Sequence, residues 1–107
     1  MDDAVDQLAA DLVEDLGADV RVGKMFGRSA VLYRGKLIAC FVPTGCTIPL
    51  DDPEHAAALA LDGATLFDPS GKGRPMKVWV VLGPEHAAHL PRFARAAARR
   101  IDALLDA

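Results

Sequence analysis

The sequence predicts an α+β fold with a mostly antiparallel β-sheet, in the order α-β-β-β-β-α-β-β-α. Three observations carry this. Apolar residues recur at helical spacing at both ends of the chain. Between Val20 and Leu50 the pattern changes to short β-rich segments separated by glycine turns. One strongly apolar run, Met76 to Leu82, is closed by Gly83-Pro84. An N-terminal helix, a short middle helix and a C-terminal helix therefore accompany the sheet. The 107 residues are expected to form a single domain, 1–107, large enough to bury a core without disulfides or a structural metal.

The elements follow in order. Val5, Leu8, Ala9, Leu12, Val13 and Leu16 repeat at helical spacing over residues 3–16, and Gly17 stands where a left-handed stop belongs. Val20 to Phe26, Ser29 to Tyr33, Lys36 to Val42 and Cys46 to Leu50 read as an antiparallel meander, with turns at Arg34-Gly35 and Thr44-Gly45. Pro49 places the fourth of these strands at an edge of the sheet. Asp52 can cap a second helix, with Pro53 at its first position and Glu54 in its first turn, ending near Leu61. A short strand, Ala64 to Phe67, and a loop through Asp68 to Pro75 lead into Met76 to Leu82. That strand is apolar on both sides except for Lys77, the pattern of a central strand, and Trp79 is expected in the core. In the last helix Leu90, Phe93, Ala94, Ala97, Ile101, Leu104 and Leu105 oppose Arg92, Arg95, Arg99, Asp102 and Asp106. Pro91 predicts a break there and two helical pieces.

Composition narrows the function classes. The chain is 51% apolar with a formal charge of −3, which excludes a disordered segment. Its longest apolar runs, Leu37 to Val42 and Ala56 to Leu61, are six residues, against roughly twenty for a membrane span. The acidic start Met1-Asp2-Asp3-Ala4 is unlike a secretory leader, so the expectation is a cytoplasmic protein without membrane contact. Charge alternates by segment. Residues 1–19 hold seven acids and no Lys or Arg, Val20 to Leu50 five bases and no acid, and Asp51 to Asp68 five acids and no base. The expectation is that acidic helices pack near basic strands and form weak surface pairs. The alternative is a basic sheet face that meets an acidic partner.

Candidate chemistry is sparse. With Pro43-Thr44-Gly45 as a three-residue hairpin loop, Val42 faces Cys46 and Cys40 faces Ile48, so the two thiols are not cross-strand partners and are expected to be core thiols. Lys72, Gly73 and Arg74, with Gly71 before them, could hold an anion by backbone N–H groups and two cations, although the P-loop pattern is absent. His86 and His89 share a face near the start of the last helix and are expected to be solvent-exposed, while His55 stands alone on the second helix. No Ser-His-Asp set, paired-carboxylate motif or GxSxG elbow is identified.

Two signatures point to a family. Lys24-Met25-Phe26-Gly27 leads into Ala30-Val31-Leu32-Tyr33-Arg34-Gly35-Lys36, and some fifty residues on stands Gly73-Arg74-Pro75-Met76-Lys77-Val78-Trp79-Val80. Together they resemble the TfoX N-terminal domain family, from about Leu16 to Ala98. Relatives commonly carry a second glycine after the position of Gly27, where this chain has Arg28. The resemblance implies the same α+β architecture and a regulatory role. Its best-known members help switch on DNA-uptake genes with a cyclic-AMP-responsive activator, and carry a second, carboxy-terminal domain. This chain ends after its last helix, so the expectation is a stand-alone, non-enzymatic interaction or regulatory domain that binds another protein, with a homodimer as a further arrangement. No cofactor or metal is expected, and no sequence-specific nucleic-acid binding by this chain alone. The alternatives are a small-molecule or anion sensor using the loop from Gly71 to Arg74, and an enzyme using Cys40 or the histidines. Lys24, Met25, Phe26, Gly27, Gly35, Gly73, Arg74, Pro75, Met76 and Trp79 are expected to serve the fold: Met25 and Phe26 as buried bulk, Gly27 as a positive-φ turn residue, Pro75 as the residue that fixes the approach to its strand.

Overall fold

A computed structural model of the chain describes residues 3–25, 27–68, 73 and 76–106. Among them, α1 (Asp3–Leu16), α2 (Glu54–Leu59) and α3 (Leu90–Leu105) accompany six strands: β1 (Val20–Met25), β2 (Arg28–Tyr33), β3 (Lys36–Val42), β4 (Gly45–Pro49), β5 (Thr65–Phe67) and β6 (Met76–Leu82). All neighbouring strands are antiparallel, in the spatial order β1-β2-β3-β4-β6-β5. The predicted α+β class and element order are those observed. No helix among the described residues is long and apolar enough to cross a membrane.

One hydrophobic cluster joins all three helices to one face of the sheet. Leu8 and Leu12 of α1, Ala58 of α2 and Leu90, Phe93, Ala97 and Ile101 of α3 pack on Val31, Ile38, Ala39, Ile48, Val80 and Leu82. The helical spacing that places these side chains on one stripe is what drives each helix onto the sheet, where the removal of apolar surface from water stabilises the contact. Val13, at the margin of the α1 stripe, remains exposed. Pro91 lies in the first turn of α3, where a missing N–H is harmless, and a 3₁₀ turn over Pro84–His89 precedes it, so the two predicted helical pieces are present.

Four expectations are corrected. The β3–β4 turn has two residues, Pro43 and Thr44, since Val42 pairs with Gly45, Phe41 with Cys46 and Cys40 with Thr47. Gly45 belongs to the strand because β4 runs hard against β6. At φ +154°, its missing Cβ would collide with the Leu82 carbonyl oxygen. Secondly, β4 is interior, flanked by β3 and β6. Leu50 N–H donates to the Val78 carbonyl at 2.8 Å, which makes the even-numbered residues of β4 the ones that bond β6. The Pro49 nitrogen consequently faces β3, where pairing has ended after Cys40↔Thr47, and no ladder bond is lost.

Thirdly, β6 is the penultimate strand and not a central one covered on both faces, because the short β5 lies outside it. Val80 and Leu82 enter the core, but Trp79 points to the other face and is only half-buried. Fourthly, α2 starts at Glu54, and Asp52 makes no capping hydrogen bond. His55 N–H instead donates to the Asp51 carbonyl at 3.0 Å.

Candidate functional site

Side chains alternate across a strand, so the face opposite the helices is built from the remaining parity. Its middle holds small buried residues, Ala30 of β2, Cys40 of β3, Thr47 of β4 and Val81 of β6, none of which joins the core cluster. Trp79 stands half-buried on this face, and Arg21, Arg28 and Lys77 are exposed on it. Thr47 is 1% exposed, and its Oγ1 has no hydrogen-bond partner. Cys40 and Cys46, on opposite faces, are both free. Burial pushes the Cys40 thiol up, partly countered by the Arg28 charge. Burial also pushes Cys46 up to about 12, so this thiol is protonated at neutral pH and is a poor nucleophile there.

Ion pairs take up three arginines among the described residues. On the helix side, Arg95 reaches Asp15 of α1 at 2.8 Å, and Arg100 reaches Asp51 at 3.3 Å. Arg34, in the left-handed region at φ +52° in the β2–β3 turn, bonds Asp102 at 2.8 Å and Asp106 at 3.3 Å at the C-terminal end of α3. Tyr33 Oη–H donates to the same Asp102 carboxylate at 2.9 Å. Arg34 and the tyrosine hold Asp102 below the usual carboxylate range, while the hydrogen bond to Asp102 and burial hold the Tyr33 phenol up. Asp15 of α1 and Asp51, in the loop before α2, thus meet arginines of α3, and only Arg34 of the strand region finds carboxylates among the described residues. Among the described residues Arg21, Lys24, Arg28, Lys36 and Lys77 of the strands, and Arg92 and Arg99 of α3, are exposed with no acid within 4.0 Å. The expectation of weak surface pairs between the acidic helices and the basic strands is therefore corrected: α1 packs on the sheet, but its Asp15 pairs with α3. Arg21, Arg28 and Lys77 lie on the side of the sheet away from the helices, whereas Lys24 shares the parity of Val20 and Val22 on the helix side.

The two signatures do not converge. Lys24 and Met25 end β1 beside Arg28, at the same end of the sheet as the β3–β4 turn, whereas Met76 begins β6 at the opposite end, with β2, β3 and β4 between. Gly27 sits at φ +73° in the β1–β2 turn, as its expected role requires, and Gly35 lies in the β2–β3 turn. Phe26, Lys72, Arg74 and Pro75 lie outside the described residues. Gly73 is described and exposed. Its N–H, which the anion-binding reading offers to a ligand, donates to the Asp68 carboxylate at 2.9 Å.

The histidines act as struts. His55 Nε2–H donates to the Lys77 carbonyl and His86 Nε2–H to the Asp62 carbonyl, each at 2.7 Å. His86, 12% exposed at its side chain, is thus docked on a loop, contrary to the expectation of two free histidines, while His89 is exposed. No cluster of three or more His, Cys, Asp or Glu among the described residues is placed to hold a metal. An apolar cleft of about 270 Å³ opens between the β3–β4 hairpin and the 3₁₀ turn, lined by Phe41, Pro43, Cys46, Leu82, Pro84 and Leu90. Sequence reasoning missed the Tyr33–Arg34–Asp102 cluster and the Thr47 hydroxyl. The first joins residues nearly seventy positions apart, and only the Arg34-Gly35 turn was visible as a local signal.

Comparison with family models, with curated proteins and with solved structures returns no match.

Proposed function

We propose that this chain is a non-enzymatic interaction and regulatory domain of the TfoX N-terminal type, acting in the cytoplasm by binding an acidic partner protein. The observation that carries the reading is a group of exposed cations on the helix-free face. Arg21, Arg28 and Lys77 are exposed on the helix-free face, and none of them has an acid within 4.0 Å among the described residues. Unpaired charges of one sign steer an oppositely charged partner and fix its register. A protein fits this surface better than nucleic acid does. Trp79 on the helix-free face is half-buried, and single-strand recognition needs several exposed stacking platforms. The free, buried thiols fit a reducing compartment.

The test is affinity capture with the wild-type chain and with Arg21→Glu/Arg28→Glu/Lys77→Glu, followed by reconstitution with the purified captured protein. An acidic protein that binds the wild type, loses at least about tenfold in affinity to the triple variant and weakens with added salt supports the reading. A partner that binds both forms equally refutes it.

A further inference from the structure

We infer that the acidic partner is held as an added β-strand: an extended acidic segment pairs with the free edge of β1. This rests on the acidic-partner reading above and adds the mode of binding. β1 is an outermost strand, paired only with β2. Arg34 N–H donates to the Asp19 carbonyl at 3.0 Å, which marks 19↔34 as a hydrogen-bonded pair. The register repeats that bonded position at Arg21↔Leu32 and Gly23↔Ala30. Odd-numbered residues of β1 are therefore committed to β2, and Val22 and Lys24 direct their N–H and C=O groups away from the sheet. Among the described residues no backbone group takes these up. β1 is paired to β2 over six residues without a bulge and carries no proline, two of the devices that blunt an edge.

The side chains say which strand would fit. Val22 is 46% exposed, an apolar contact for one residue of an added strand, and its flanks Arg21 and Lys24 are exposed cations on opposite faces. An antiparallel segment with an acid beside Lys24, any residue beside Gly23, an apolar residue beside Val22 and an acid beside Arg21 meets every demand, since opposite charges directly across a ladder attract. A second copy of this chain fits worse. Two β1 strands side by side bring four cations together and no carboxylate.

The probe is a blocked peptide of about ten residues with Glu-Thr-Val-Asp at its centre, titrated into the full-length chain by amide NMR. The expected result is saturable shifts centred on Val22 and Lys24. N-methylating the alternate peptide amides that face β1 weakens binding at least about tenfold, and methylating the other set does not. Arg21→Glu/Lys24→Glu weakens it similarly. Loss on charge reversal with indifference to N-methylation overturns strand addition and leaves the acidic-partner reading standing. Binding indifferent to both, or no binding, overturns the inference. In those cases the capture experiment, run also with Arg28→Glu/Lys77→Glu so that β1 is left unchanged, decides the broader reading separately. A β1-to-β1 dimer, seen by sedimentation and cross-strand contacts between labelled copies, also overturns the acidic occupant.

Discussion

Thr47→Val is expected to stabilise the protein. Thr47 lies at the centre of the helix-free face, paired with Cys40 on one side and Val81 on the other, 1% exposed, with Oγ1 bonded to nothing. A hydroxyl taken out of water without a partner costs about 1–3 kcal/mol in protein mutational data. Valine keeps the β-branched shape and the strand preference while removing that penalty. The expected gain is about 1–2 kcal/mol, and each kcal/mol corresponds to roughly 4–8 °C in Tm for a domain of this size. Urea unfolding should show a higher midpoint with an unchanged slope, and thermal melts should agree. Thr47→Ser, which keeps the hydroxyl and loses a buried methyl, should destabilise by about 1 kcal/mol. A Thr47→Val variant less stable than the parent would refute the reasoning, because the hydroxyl must then have a partner in solution.

Tyr33 is the only tyrosine, so its ultraviolet titration reads one group: it should ionise above its ordinary value of 10.0, and nearer to it in Asp102→Asn. Asp102 works in the opposite direction. Its folded value is depressed, so its stabilisation is present above the ordinary carboxylate range and is lost as pH falls through the folded value, a dependence that Asp102→Asn should remove from the acid limb of the stability curve. Two glycines separate backbone strain from collision: Gly27→Val, where a Cβ meets nothing within 4 Å but φ is +73°, should cost about 1–3 kcal/mol, whereas Gly45→Ala, which drives a Cβ into the Leu82 carbonyl, should cost more than about 3 kcal/mol by denaturant midpoint. Cys46, raised to about 12, should resist iodoacetamide near neutral pH in the folded protein and react once it is unfolded.

The element order, the class and most element boundaries are legible in the amino-acid sequence. α1 and β3 and β6 lie where periodicity places them, because helical and strand periods are local properties of which residues can share a face. The same local chemistry foresaw the positive φ of Gly27 and the break before α3. Which strand neighbours which, and hence which face each charge occupies, is set by the packing of the whole chain. Pro49 pointed to an edge because a missing N–H matters only if a neighbour needs it, and sequence does not say where β3 stops pairing. Trp79 and Val80 are adjacent and both apolar, but the pleat sends one to the helix-free face and the other to the core. The charge blocks were legible as blocks. That α3 supplies the partners for α1 and for the loop before α2, leaving Arg21, Arg28 and Lys77 unmatched on the opposite face, follows from packing three helices on a single face. Distances between residues far apart in the chain are set by that packing, and no local pattern encodes them.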